Sequence, residues 1–186
     1  MAEWSNAPHS KRGWEKSLRG SNPLPSVFKL NYMNKFIKIA IEEARKGIRN
    51  NEGGPFGAVI VRNGKIIAKG HNLVIKTNDP TAHAEIVALR LASVKLKRFD
   101  LSDCEIYSSC EPCPMCFSAI HWAKIRKLYF GCTRDDAAKI GFDDKFIYDV
   151  IQGKTTKKQV KIIRLDRKDC LNLFKKWKNK RHKIQY

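Results

Sequence analysis

No stretch of the 186 residues approaches the ~18–20 consecutive apolar side chains that a membrane-crossing helix needs, which excludes a helical span. The N-terminus lacks the basic-then-apolar pattern of a secretory signal, so a cytoplasmic protein is the expectation. No segment repeats. Acidic side chains are scarce: 18 Asp and Glu stand against 37 Lys and Arg, giving a net charge of +19. What is present excludes a wholly disordered chain, because 42% of the residues are hydrophobic and 10% aromatic. The length suits one domain with an appendage.

The excess positive charge is uneven. Residues 1–32 carry +3 and residues 33–153 carry +5, whereas 154–186 hold thirteen basic side chains against two acidic ones. Such a balance invites a nucleic-acid partner, although a run of charge is more often a solvated face. Six cysteines with no signal sequence, three of them between Cys110 and Cys116, point to metal or redox chemistry rather than disulfides.

Residues 1–32 are rich in Pro, Gly and Ser and have no helical or strand period, so a flexible leader is expected there. Arg19-Gly20-Ser21 looks like a cloning junction, and a natural extension that meets a partner is the alternative. A domain over 33–186 follows. Phe36, Ile37, Ala40, Ile41, Ala44 and Ile48 recur at helical spacing. Phe56–Arg62 and Lys65–Leu73 are strand-like runs joined by Asn63-Gly64, a hairpin turn. Asp79-Pro80-Thr81 starts a helix whose apolar stripe includes Ile86, Val87, Leu89 and Leu91. Strands are predicted at Cys104–Ser109, Lys127–Cys132 and Gln159–Leu165, with helices at Pro114–Lys124, Asp135–Lys139 and Asp166–Trp177. The alternation predicts an α/β fold, a three-layer α/β/α sandwich on a five-stranded mixed sheet.

Three pieces carry chemistry: His83-Ala84-Glu85, Glu111-Pro112-Cys113-Pro114-Met115-Cys116, and Asn72 at the end of a strand. A catalytic zinc takes three protein ligands and leaves a position for water. His83, Cys113 and Cys116 supply such a trio. The two cysteines lie three apart at the first turn of a predicted helix, where both thiols project to one side and the helix N-terminus favours thiolate. Glu85, two residues after a ligand, can exchange protons with the water without binding the metal. A lone C-x-x-C would also suit a redox pair or half of a closed structural zinc site, with Cys110 as the spare ligand. The ordered combination of H-x-E and then P-C-x-x-C is far more specific, and it is the signature of the zinc-dependent nucleobase deaminases. Cys104, Cys132 and Cys170 are expected in the core.

Through Gly53–Val61, Asn78–Glu85 and Ser109–Cys116 the sequence resembles the cytidine-deaminase-like superfamily over essentially all of 33–186. Gly141-Phe142-Asp143-Asp144-Lys145-Phe146-Ile147-Tyr148 and the terminal Tyr186 are similar, within it, to the bacterial guanine deaminases. The resemblance implies one Zn2+ per subunit and hydrolysis of guanine to xanthine and ammonia, with zinc-bound hydroxide attacking C2 and Glu85 shuttling protons. It also implies that Asn72 and the Ala84 backbone amide orient the base, that Asp144 reads its edge and that Tyr186 closes over it. Phe56 and Trp122 are candidates to line or stack on the base, and a homodimer that exchanges its C-terminal segment is implied as well. Asn72 equally suits a strand-end turn, Asp143 and Asp144 suit a helix start, and Phe56 and Trp122 suit a core. A tRNA adenosine deaminase and a non-catalytic zinc-stabilised RNA-binding module are the competing readings. The first is favoured by the basic balance, but Asp136-Ala137-Ala138-Lys139-Ile140-Gly141 lacks the Lys-Thr-Gly-Ala-type stretch expected of it.

Overall fold

The computed structural model describes residues 34–155 and 160–185; the expected leader and Tyr186 lie outside them. Helix α1 (Lys35–Arg49) begins at Asn34, whose side chain accepts a hydrogen bond from the Phe36 amide at 2.9 Å. Strands β1 (Gly57–Arg62) and β2 (Lys65–His71) form the expected antiparallel hairpin. Its turn residues Asn63 and Gly64 have φ of +49° and +71°, the left-handed pair that matches the strand twist. A short helix α2 (Val74–Thr77) follows. The order continues with α3 (Ala84–Leu96), β3 (Cys104–Cys110), α4 (Pro114–Trp122), β4 (Lys127–Cys132), α5 (Arg134–Lys139), α6 (Lys145–Ile151) and α7 (Arg167–Asn179).

The sheet order is β2-β1-β3-β4, antiparallel except where β3 and β4 run parallel across the α4 crossover. Side chains alternate along β1. Ala58 and Ile60 join Ala84, Ala88, Leu89, Ile106 and Ile120 in a core under α3 and α4. Val59 and Val61 face the other way, onto Phe36, Ala40 and Tyr107 under α1. That period of two makes the three layers, and each fully buried Ile side chain contributes about 1.5–3 kcal/mol.

Four expectations need correction. The sheet has four strands among the described residues, not five: 160–165 make no strand pairing, and Val160, Ile162, Ile163 and Leu165 are exposed there. Strand propensity needs an edge to pair with, and within one chain that segment meets none. Helix α3 starts at Ala84 rather than near Asp79, because Asp79 Oδ1 accepts from both the amide and the hydroxyl of Thr81 and closes a separate turn. The buried face of α3 runs through Ala84, Ala88 and Ala92, and Leu91 is exposed. Cys104 is in the core as expected, but Cys132 and Cys170 are exposed. Helices α2 and α6 are too short for a periodic apolar signal and were not expected. None of the helices among the described residues is long and apolar enough to cross a membrane.

Candidate active site

Two helix N-termini converge on one point. His83 occupies the N-cap position of α3 and Cys113 that of α4, both with extended backbone, and Pro114 opens α4 with the fixed φ a first turn requires. His83 Nδ1 lies 3.4 Å from Cys113 Sγ and 3.6 Å from Cys116 Sγ. Zinc bonds of about 2.3 Å to sulfur and about 2.0 Å to nitrogen, at tetrahedral angles, set S and N ligands about 3.5 Å apart. The three donors therefore fit zinc, and they are the one His/Cys/Asp/Glu cluster of metal-binding geometry among the described residues. Cys110 is not part of it: its Sγ meets the Thr133 carbonyl at 3.5 Å, and burial pushes the thiol up to about 11. A closed four-ligand site is thereby disfavoured.

Hydrogen bonding from Cys116 and His83 draws the Cys113 thiol well below the ordinary thiol range, toward the thiolate that a metal takes. Its partner Cys116 is pushed up by the same contact and by burial. The Cys113 sulfur in turn holds the His83 imidazole up.

Glu85 is 5% exposed, in the first turn of α3. Ser108, fully buried on β3, donates its hydroxyl to Glu85 Oε1 at 2.7 Å. Burial raises the Glu85 carboxyl above its ordinary range, in the direction useful to a group that must both take and return a proton.

A cavity of about 610 Å³ opens over this cluster, within the usual size range of small-molecule sites. Asn72, Phe56, His83, Glu85, Cys113 and Asp144 all line it. Asn72 is buried, and its Oδ1 accepts from the Val74 amide at 3.1 Å. Asn72 thus both closes the strand-end turn before α2 and lines the cavity, its side-chain oxygen being the atom the turn uses. The close fit needs Gly53, where a Cβ would stand 2.2 Å from Asn72 Oδ1. Phe56 meets Phe142 edge to face, centroids 4.9 Å apart, and both line the cavity.

The two aspartates before α6 divide their work. Asp143 Oδ1 accepts from the Lys145 amide at 2.9 Å, whereas Asp144 makes no capping bond. Asp144 is half-buried with its carboxylate on the cavity, and burial raises its proton affinity. Two expected residues are not among the cavity lining. For Ala84 the expectation concerns the backbone amide, which stands at the first position of α3, while the side chain is fully buried against the sheet. Trp122 is 67% exposed at the C-terminal end of α4, about 13 Å along the nine-residue helix from the Cys113 end, and does not line the cavity. Sequence reasoning missed Arg134, which lines the cavity and ion-pairs with Glu111. A lone arginine in a polar stretch carries no periodic signal.

The model for "Cytidine and deoxycytidylate deaminase zinc-binding region" matches residues 31–132. The chain is 44% identical to guanine deaminase of Bacillus subtilis (strain 168) over 151 residues, 81% of this chain and 97% of that one. It is 36% identical to a tRNA-specific adenosine deaminase of Buchnera aphidicola subsp. Schizaphis graminum over 154 residues, 82% of this chain and 99% of that one. Among solved structures, the X-ray structure of guanine deaminase from Bacillus subtilis superposes with a TM-score of 0.78 at 44% identity, covering 83% of this chain and 99% of that one.

Proposed function

This chain belongs to the cytidine and deoxycytidylate deaminase zinc-binding family, and we propose from that premise that it is a guanine deaminase: guanine and water become xanthine and ammonia. The observation that carries the reading is Asp144, which makes no capping bond and lines the same cavity as Glu85 and the ligand candidates His83 and Cys113. An ionised carboxylate only accepts hydrogen bonds, which suits the N–H-rich edge of guanine.

His83, Cys113 and Cys116 would hold the zinc, which would supply there a polarised water nucleophilic near neutral pH. Glu85 carries one proton of the attacking water to the ring nitrogen, where xanthine keeps it, and the second, from the new oxygen at C2, to the departing amine. Ser108 keeps the Glu85 carboxylate aimed through the hydroxyl it donates to Oε1. The Asn72 amide donates to an acceptor of the base, and the Phe56 ring forms an apolar wall. The deaminase family and the cavity-facing Glu85 leave no support for a non-catalytic RNA-binding module.

The enzyme acts as a homodimer in which the C-terminal segment packs on the second copy. Strand β4 is an open edge with Tyr129 and Phe130 exposed, and the unpaired 160–165 segment and α7 carry exposed apolar side chains. An apolar groove of about 450 Å³ between α1 and β4, lined by Ile37, Ile41 and Ile48, offers the place for them. A cytoplasmic setting follows from the same reading, because the ligand thiols must stay reduced.

The test is ammonia release from guanine, adenine, cytosine, guanosine and an adenosine-containing RNA loop, with zinc quantified. Release from guanine is expected. A zinc-replete protein that spares guanine and deaminates the RNA loop would instead assign it to tRNA. Sedimentation at micromolar concentration tests the dimer, and a monomer would remove the exchange.

A further inference from the structure

Helix α6 has no buried residue, yet its N-cap residue Asp144 lines the cavity. No hydrophobic core holds it there. Tyr148 lies one turn beyond Asp144 and on the same face. Its hydroxyl donates to the Pro112 carbonyl at 3.3 Å, directly before the ligand Cys113. The Arg134 guanidinium lies over the Tyr148 ring, 4.5 Å from its centroid. Arg134 is itself held twice by Glu111: its backbone amide donates to Oε2 at 3.1 Å and its guanidinium to Oε1. The sequence Glu111-Pro112-Cys113 is thus tied to α6 through one arginine and one tyrosine.

We propose that Arg134 and Tyr148 are positioning residues that latch α6 to the cysteine loop and so set Asp144 at the distance from the metal cluster that base recognition requires. The proposal rests on the guanine reading above for the identity of the base. A planar guanidinium suits the task, since it can stack on the tyrosine and hydrogen-bond a carboxylate at the same time. Lysine cannot do both. The latch acts through Asp144 and not on the reacting atoms, so it governs affinity for the base more than the chemical step.

Steady-state kinetics on the full chain test this. Tyr148→Phe keeps the ring under Arg134 and loses only the bond to Pro112; KM for guanine is expected to rise roughly 3- to 10-fold with kcat within about twofold. Arg134→Ala is expected to raise KM by about 10- to 100-fold, and Arg134→Lys to restore little of it. Arg134→Ala and Asp144→Ala together are expected to cost no more than Asp144→Ala alone, because both remove one recognition. Additive costs would mean that Arg134 contacts the base itself and would overturn the positioning role. So would an unchanged KM in Tyr148→Phe and Arg134→Ala, or a loss of zinc in step with the loss of affinity. Hydrogen exchange gives a readout independent of substrate: amides of 145–151 are expected to exchange faster in Tyr148→Phe, and unchanged protection there sinks the latch. A wild-type protein inactive on guanine would instead sink the guanine reading, leaving exchange alone to decide whether α6 is latched.

Discussion

Residues 34–125 and 126–185 obey different rules. Every buried side chain among the described residues lies in the first region, between Phe36 and Ile125. The second holds β4, α5, α6 and α7 with no buried residue, although Tyr129, Phe130, Ile162, Leu173, Phe174 and Trp177 are all large and apolar. The first region therefore sets the chemistry: a packed sheet with α3 and α4 on one face fixes His83, Glu85, Cys113 and Cys116 where two helices begin. The second adds Arg134 and Asp144 to the cavity lining, and it is held by caps, ion pairs and a stacked tyrosine. The lesson is a difference in support: the His83, Glu85, Cys113 and Cys116 cluster stands on packed core, while the Asp144 side of the cavity rests on polar contacts of exposed helices.

The sharpest way to break this comparison is at Glu85. Glu85→Gln keeps volume and the contact with Ser108, so fold and zinc content should persist while kcat falls about 10²- to 10⁴-fold. Ammonia release with parallel zinc analysis measures it, and full activity in a zinc-replete variant would remove Glu85 from the mechanism. Gly53→Ala probes how tightly the first region is built. A methyl there would stand 2.2 Å from Asn72 Oδ1 and 2.4 Å from its carbonyl oxygen, so the loop or Asn72 must shift. A loss of roughly 10²-fold in kcat/KM is expected, of the size that small displacements near a site cause.

In the second region the effects should be smaller and fall on affinity. Asp144→Ala should raise KM about 10-fold or more with a modest change in kcat, and a kcat defect matching that of Glu85→Gln would erase the distinction between the two regions. The smallest effect concerns the capping box of α5, where Asp136 accepts from both the amide and the hydroxyl of Thr133. Those bonds, helped by Lys139, draw the Asp136 carboxyl down to about 2. A carboxyl depressed in the folded state stabilises above its ordinary value of about 3.9, and that contribution is lost as pH falls through about 2. Asp136→Ala should thus raise exchange in residues 134–139 at pH 5 to 7 and lose its effect toward pH 2. A difference that persists at pH 2 would mean the cap is not electrostatic.

The legible parts of the molecule share one property: they are local. The period of Phe36, Ala40 and Ala44, the Asn63-Gly64 turn and the alternation along β1 act within a few residues, and the structure agrees with each. The metal donors were legible too, because a C-x-x-C at a helix start brings its thiols to one side before any packing occurs. Trp122 does not line the cavity within one chain, because its place on α4 says nothing of how far the cavity extends along that helix. The strand expected at 159–165 was misjudged because propensity names a conformation and not the edge that must receive it.

By itself the sequence determined the candidate donor set, the glutamate beside it and most of the elements that carry them. Helical and extended backbones impose their spacings on a few neighbouring residues, whatever the rest of the chain does. Tertiary structure alone decided that His83 and Cys113, 30 residues apart, face each other across 3.4 Å. It also decided that Asp143 caps while Asp144 stays free, and that Tyr148 and Arg134 tie α6 to the cysteine loop. The reason is that a side chain's role depends on which partners remain unsatisfied around it, and those partners come from distant segments that only packing brings together.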